Sequence, residues 1–180
     1  MRLSKWGYYA DFTVYPVVIA VLSAATLDDA VDARAVGAWA GALLLGIGVW
    51  TFLEYWLHRI ALHQTAYLAR MHALHHRAPQ DYVGTPTWLS LAVLIGFLLL
   101  PIWHFVGLPI AGGLTAGVMI GYLWYGLTHH WIHHSRGGAL RRHLESRRVR
   151  HLRHHYSPKR GNFGVTTAFW DRVFGTQIHS

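Results

Sequence analysis

Histidine carries whatever chemistry this chain performs. It occurs fifteen times in 180 residues, and its spacing is patterned. The runs are His58-Arg-Ile-Ala-Leu-His63, His72-Ala-Leu-His75-His76, His129-His130-Trp-Ile-His133-His134 and His151-Leu-Arg-His154-His155. On a helix, positions i, i+3 and i+4 share a face. Each His-x-x-His-His run is therefore expected to aim three imidazoles one way. That is metal-ligand spacing, with nitrogen donors suited to Fe, Zn, Ni or Cu. A lone histidine is ordinarily a surface residue or a satisfied core residue. The whole pattern is neither, because burying so many neutral imidazoles without metal needs a partner for nearly every ring nitrogen. Haem ligation asks for isolated histidines on facing helices. A metal transporter keeps polar ligands at mid-membrane, and here only His104 and Glu54 fall inside apolar runs. Two metals, each with mostly imidazole ligands, use the residues best. Glu54 stands four residues before His58. It is either an interfacial acid or an acceptor that orients a ligand imidazole.

Composition narrows the class. The chain is 53% hydrophobic, with nine tryptophans and nine tyrosines, and has sixteen Lys or Arg against eight Asp or Glu. The absence of cysteine excludes disulfides, thiolate metal sites, iron–sulfur clusters and a cysteine nucleophile. Any metal must be held by histidine and carboxylate. Net positive charge alone suggests nucleic acid, but long apolar runs separate the basic segments. A membrane protein explains both features, and no nucleic-acid partner is expected.

The elements that position the histidines are membrane spans. A spanning helix needs about 20 apolar residues, and four runs qualify, at about 8–27, 36–57, 88–106 and 110–128. Trp6, Tyr8 and Tyr9 read as an interfacial belt. Pro101 is expected to kink the third span before His104. Val106-Gly-Leu-Pro109 reads as a tight reversal. Gly113, Gly117 and Gly121 recur every fourth residue, which favours close helix packing. The polar segments 58–87 and 129–180 form a cap outside the bilayer. Within it, 140–155 reads as a basic amphipathic helix with Leu140, Leu144 and Leu152 at multiples of four. Such a helix can lie on a membrane carrying anionic lipid. Asn162 to Thr176 carries too many apolar residues for a free tail and is expected to fold back onto the helices.

Topology follows from charge. Four spans put both termini on one side. That side receives every Lys and Arg except Arg34, and every histidine except His104. The positive-inside rule makes it cytoplasmic, the inner face of the inner membrane in a bacterium. The expected fold is thus all-α: one integral membrane domain, 1–180, with four transmembrane helices and a cytosolic histidine-rich di-metal cap.

From Trp50 to Thr176 the sequence resembles the fatty acid hydroxylase and sterol desaturase superfamily, most of all its fatty acid 2-hydroxylase branch. The resemblance rests on several motifs. Glu54-Tyr-Trp-Leu-His58-Arg59 comes with His63, and His72-Ala-Leu-His75-His76 with Pro79 and Asp81. Gly121-Tyr122-Leu-Trp-Tyr125 leads to His129 and His133-His134. His151-Leu-Arg-His154-His155-Tyr156, Phe163-Gly-Val-Thr-Thr and Trp170-Asp171-Arg-Val-Phe-Gly-Thr176 follow. Gly126 stands where the family often carries aspartate. The resemblance implies ten ligands for two metals: His58, His63, His72, His75, His76, His129, His133, His151, His154 and His155. His130, His134 and His143 are left over. It implies two iron ions, with zinc as a non-redox substitute in purified protein, and O₂-dependent hydroxylation of a long lipid chain near its head group. One oxygen atom enters a C–H bond and the other leaves as water, with two electrons supplied per turnover. No fused cytochrome b5 domain is seen in the 180 residues, so a separate donor of ferredoxin or cytochrome b5 type, with its reductase, is expected. Trp88, Tyr122, Trp124, Tyr125 and Trp131 are expected at the substrate wall or the interface. Carotenoid ring hydroxylation, lipid desaturation and a non-catalytic metal-binding role are the alternatives.

Overall fold

The computed structural model describes residues 1–135 and 137–178. Arg136, His179 and Ser180, which belong to the expected cap, lie outside the described residues. The described chain is helical, with α1 (Lys5–Tyr9), α2 (Asp11–Asp28), α3 (Ala33–Trp56), α4 (Leu62–Gln64), α5 (Ala66–Arg77), α6 (Thr87–Leu94), α7 (Leu100–Val106), α8 (Leu108–His134), α9 (Ala139–Tyr156) and α10 (Phe169–Val173). π-Helical turns at Leu57–Ala61 and Ile95–Leu99 join α3 to α4 and α6 to α7. Four continuous helical stretches are long and apolar enough to cross a membrane: Lys5–Asp28, Ala33–Gln64, Thr87–Val106 and Leu108–His134.

Two of these stretches run further than the sequence reading placed them. The second does not end at Leu57 but carries His58 and His63 as far as Gln64. The fourth does not end at Thr128 but carries His129 and His133 to its terminus. Loss of apolarity ends a membrane span, but it does not end a helix whose backbone bonds are internal. The break comes at Thr65, whose backbone is extended (φ −88°, ψ 130°).

The chain divides into two compact units, Met1–Trp50 with Gly84–Leu123, and Thr51–Val83 with Trp124–Ser180. In the first unit, α8 packs on α3 along the glycine stripe. A Cβ at Gly113, Gly117 or Gly121 would collide with the Trp39 carbonyl, the Leu43 carbonyl or the Trp50 side chain, respectively. Only hydrogen at these positions lets the two backbones approach this closely. Asp32 caps α3, its Oδ1 accepting from Ala35 N at 2.8 Å. Gly107 takes φ 89° at the expected reversal, a left-handed conformation that glycine adopts without steric cost. The π-turn at Ile95–Leu99 absorbs Pro101, whose ring would otherwise clash with the carbonyl four residues back. A polar network crosses three helices: Asp11 accepts from Thr87 Oγ1 and Tyr122 OH, both at 2.6 Å, while Tyr15 OH donates to Ser90 Oγ at 2.9 Å. Phe97 and Phe105 are more than four-fifths exposed, an apolar surface that suits lipid and not water.

In the second unit, residues 161–166 form a buried strap, as the apolar content of 162–176 led one to expect. Helix α9 departs from expectation. Its buried residues are Leu144, His151 and His154, whereas Leu140 is exposed. The face turned inward combines one leucine of the repeat with two imidazoles.

Candidate metal centre

Four elements of the second unit deliver the histidines. The end of the second span brings His58 and His63, α5 brings His72, His75 and His76, the end of α8 brings His129 and His133, and α9 brings His151, His154 and His155. The fold gathers these ten into two groups of five. His58, His63, His72, His76 and His154 form the first; His75, His129, His133, His151 and His155 form the second. Within each group the potential ligand atoms all lie within 4.8 Å of one another.

The His-x-x-His-His runs of α5 and α9 are each split between the groups, so their three imidazoles do not serve one centre, and of the run at 130–134 only His133 belongs to a group. On α5, His72 and His76 go to the first group and His75 to the second; on α9, His151 and His155 go to the second and His154 to the first. The arrangement is reciprocal. Residues i and i+4 stack one turn apart and serve one centre, and residue i+3, about 60° round the helix, serves the other. The spans contribute one pair each, and their spacings differ. His129 and His133 are four apart on a regular helix. His58 and His63 are five apart, which on an α-helix would point them in different directions. The π-turn at Leu57–Ala61 repeats every fifth backbone bond and carries His63 back over His58. Their rings stack with centroids 5.2 Å apart.

The donor set fits metal better than it fits hydrogen bonding alone. His58 Nδ1 donates to the Phe163 carbonyl at 2.6 Å, and His154 Nδ1 donates to the Gly161 carbonyl at 2.8 Å. A carbonyl only accepts, so both Nδ1 atoms carry the proton and both neutral rings turn an Nε2 lone pair inward. There, His58 Nε2 lies 3.0 Å from His72 Nε2. His154 Nε2 lies 3.1 Å from His63 Nε2 and 3.2 Å from His76 Nε2. In the second group, Nε2 separations are 3.0 Å for His129–His75, 3.1 Å for His75–His155, 2.9 Å for His151–His133 and 3.0 Å for His155–His151. With the Nδ1 protons of His58 and His154 turned outward, the first group has too few inward protons to separate its lone pairs, and a cation would supply what is missing. Two nitrogens about 2.0–2.1 Å from one ion and at right angles are about 2.9 Å apart, the spacing seen here.

The rings are held neutral, as ligands must be. Burial, and then the neighbouring His133 and His76, push His75 down to about 3. Burial, and then His76 and His63, push His154 down to about 3 despite the bond to Gly161. His72, His76, His151 and His155 are shifted the same way, burial first.

Glu54 does not meet an imidazole. It is buried and accepts from Val165 N, from Thr166 N at 2.9 Å and from Thr166 Oγ1 at 2.6 Å. It grips the strap whose Phe163 carbonyl receives His58, and so lies one bond further out than expected. Asp171 makes a matching grip that the sequence reading missed. Fully buried, it accepts from Phe163 N at 2.9 Å, Gly164 N at 2.8 Å and Thr176 Oγ1 at 2.7 Å. Its place in the Trp170-Asp171-Arg motif was visible, but the backbone carbonyls it fixes carry no side-chain signature. Of the leftover histidines, His130 and His134 stack on each other at 4.4 Å and belong to neither group. Tyr125 stacks on His129 at 5.7 Å, Trp124 meets Trp131 edge-on at 6.1 Å, and Trp88 is 70% exposed.

Membership of a family follows from comparison with known proteins. The profile described as fatty acid hydroxylase matches residues 43–176. A dihydroceramide fatty acyl 2-hydroxylase, FAH2 of Arabidopsis thaliana, is 35% identical over 145 residues, which cover 73% of this chain and 58% of that protein. The ceramide very long chain fatty acid hydroxylase scs7 of Schizosaccharomyces pombe is 32% identical over 149 residues, covering 74% and 41%. The structure of full-length scs7p, in which only the hydroxylase domain is visible, matches with a TM-score of 0.77 at 27% identity, covering 96% of this chain and 67% of that one. The chain belongs to the fatty acid hydroxylase family, in the superfamily shared with sterol desaturases. It spans less than two thirds of the length of the curated relatives it matches.

Proposed function

We propose that residues 1–180 form one membrane hydroxylase domain. It uses two iron ions and O₂ to hydroxylate a long fatty acyl chain, or a similar lipid, close to its polar head. The observation that carries this reading is the sorting of ten imidazoles into two five-membered groups with converging Nε2 atoms. His58, His63, His72, His76 and His154 would hold one ion, and His75, His129, His133, His151 and His155 the other. Iron, when bound, supplies the redox chemistry that activates O₂ toward an inert C–H bond, which no protein side chain can do.

The chain's own residues supply position and environment. The strap fixes the tautomers of His58 and His154, leaving Nε2 free to ligate. Burial keeps the rings neutral and limits water at the centre. The ligands on α3–α4 and α8 sit at the ends of two helices long enough to span a membrane. A lipid held by its head at that level would present its first carbons, and positioning would select among equally inert C–H bonds. Membership of the fatty acid hydroxylase family supports the reaction class, and the relatives named as acyl 2-hydroxylases support attack near the head.

Electrons would come from a separate donor of ferredoxin or cytochrome b5 type with its reductase. The arginines of α9 would face anionic lipid, at about 1 kcal/mol per surface Lys or Arg. The positive-inside rule would put the histidine groups and both termini in the cytoplasm. The test is to load the protein with iron, supply a reductase system and lipid, and follow O₂ consumption beside the lipid mass spectrum. Reductant-dependent uptake with a mass gain of one oxygen is expected. A fully loaded protein that consumes no O₂ with any lipid would return the chain to a non-catalytic metal-binding role.

A further inference from the structure

The two groups of histidines are alike in number and spacing but not in what stands behind them. Behind the first lies the strap. The carbonyls of Gly161 and Phe163 take the outward protons of His154 and His58. The strap is itself pinned by two buried carboxylates, Asp171 through the amides of Phe163 and Gly164, and Glu54 through those of Val165 and Thr166. Further bonds hold it in place: Asn162 N donates to the Thr176 carbonyl at 2.9 Å, and Arg147 Nε donates to the Thr166 carbonyl at 2.8 Å. A Cβ at Gly164 would meet the Thr167 carbonyl, so the turn also closes on itself. Behind the second group there is no such support for α9. The Nδ1 atoms of His151 and His155 are buried and have no hydrogen-bond partner among the described residues.

We propose that this asymmetry makes the two metal positions inequivalent. The position held by His58, His63, His72, His76 and His154 is the tighter one, it fills first, and Asp171 and Glu54 are its positioning residues. The inference rests on the di-metal reading above. The physical ground is that a ligand imidazole whose distal N–H is bonded to a fixed acceptor is locked in tautomer and orientation and is more basic at the metal-facing nitrogen. Losing such a partner typically weakens metal binding about 10–100-fold. Neither carboxylate touches an imidazole. Each acts by holding the carbonyls still, so its removal should loosen one position and leave the other unchanged.

The experiment uses the full chain in detergent, loaded with Zn²⁺ and stripped by a graded series of chelators, with metal counted per chain by atomic spectrometry. Zinc carries no redox chemistry, so the readout is independent of turnover. The expected result is release in two steps separated by about 10–100-fold in chelator strength. His129→Ala should abolish the easily stripped step and His63→Ala the resistant one. Asp171→Asn and Glu54→Gln should move the resistant step toward the easy one while the easy step stays put. Should Asp171→Asn fail to fold, Thr166→Val and Thr176→Val each remove one hydroxyl bond to a carboxylate and should shift the same step less. Met119→Ala, a cavity in the other unit, serves as the control; at an equal drop in thermal midpoint it should leave the separation unchanged. Two ions released in one step from the wild type, or both steps shifting together in Asp171→Asn and Thr176→Val, would overturn the inequivalence. A chain that binds no zinc or iron at either group would overturn the di-metal reading itself.

Discussion

At the scale of single residues, the ligand set makes the sharpest demands. His75 and His154 belong to different groups, so alanine at either should remove one metal per chain and reduce hydroxylation to background. The measurement is metal content beside turnover, with folding checked separately because ligand loss couples to stability. Full metal and full turnover in both variants would contradict the assignment. Glu54→Gln should cost less, about 10–100-fold in activity, and unchanged activity would mean that its grip on the strap does not reach the metal position. The same rings predict a pH dependence. His75 and His154 sit at about 3 in the fold, against an ordinary value near 6.5. As pH falls below about 6.5 the unfolded chain takes up protons that the fold refuses. The metal-free protein is therefore fully stabilised above that pH and loses stability down toward about 3. Each such histidine costs about a factor of ten in the folding equilibrium per pH unit. Thermal midpoints should be flat from pH 8 to 7 and fall steadily toward 5. A flat profile to pH 5 would mean that the rings are not buried neutral. The ten imidazoles that the fold gathers were named in the sequence by the motifs that carry the family resemblance. Their division was not: a helical face defines a direction but does not say how many centres lie along it.

At the scale of elements, the informative feature is the five-residue gap between His58 and His63. Four was used in the other span, and the extra residue is the only trace in the sequence of the π-turn at Leu57–Ala61. Deleting Ile60 should restore an α-helical register and place His63 four residues after His58, on one face as His129 and His133 are, so that both groups keep their ions. Metal counting on the deletion variant reads this directly, and loss of the ion from the first group would show that the five-residue spacing cannot be replaced by a regular turn. The glycine stripe makes a separate claim. Gly117→Leu must push a side chain into the Leu43 carbonyl, and overpacking of this kind costs about 1–3 kcal/mol or more. A clear fall in thermal midpoint is expected, and none would mean that α3 and α8 do not pack as described. The stripe, the Gly107 reversal and the buried strap could all be read in advance from glycine spacing and apolar content. The helix ends could not, since hydropathy reports where lipid stops and says nothing about where backbone hydrogen bonding stops. The inward face of α9 combines Leu144 of the leucine repeat with His151 and His154, so leucine periodicity alone does not mark it.

At the scale of the whole molecule, the charge distribution implies an orientation. The chain has no cysteine, so single cysteines placed in the 28–35 loop and in the 137–150 segment can be labelled without background. With the membrane intact, the loop should react only from outside the cell and the segment only after access to the cytoplasm. The reverse pattern would invert the topology. The central claim is the reaction itself, and isotopic oxygen tests it most directly. Iron-loaded protein in nanodiscs, with a reductase system, ¹⁸O₂ and long-chain acyl lipids, should yield a product carrying one ¹⁸O on a carbon near the carboxyl or amide end. A double bond with no retained label, or label found only on carotenoid rings, would contradict it.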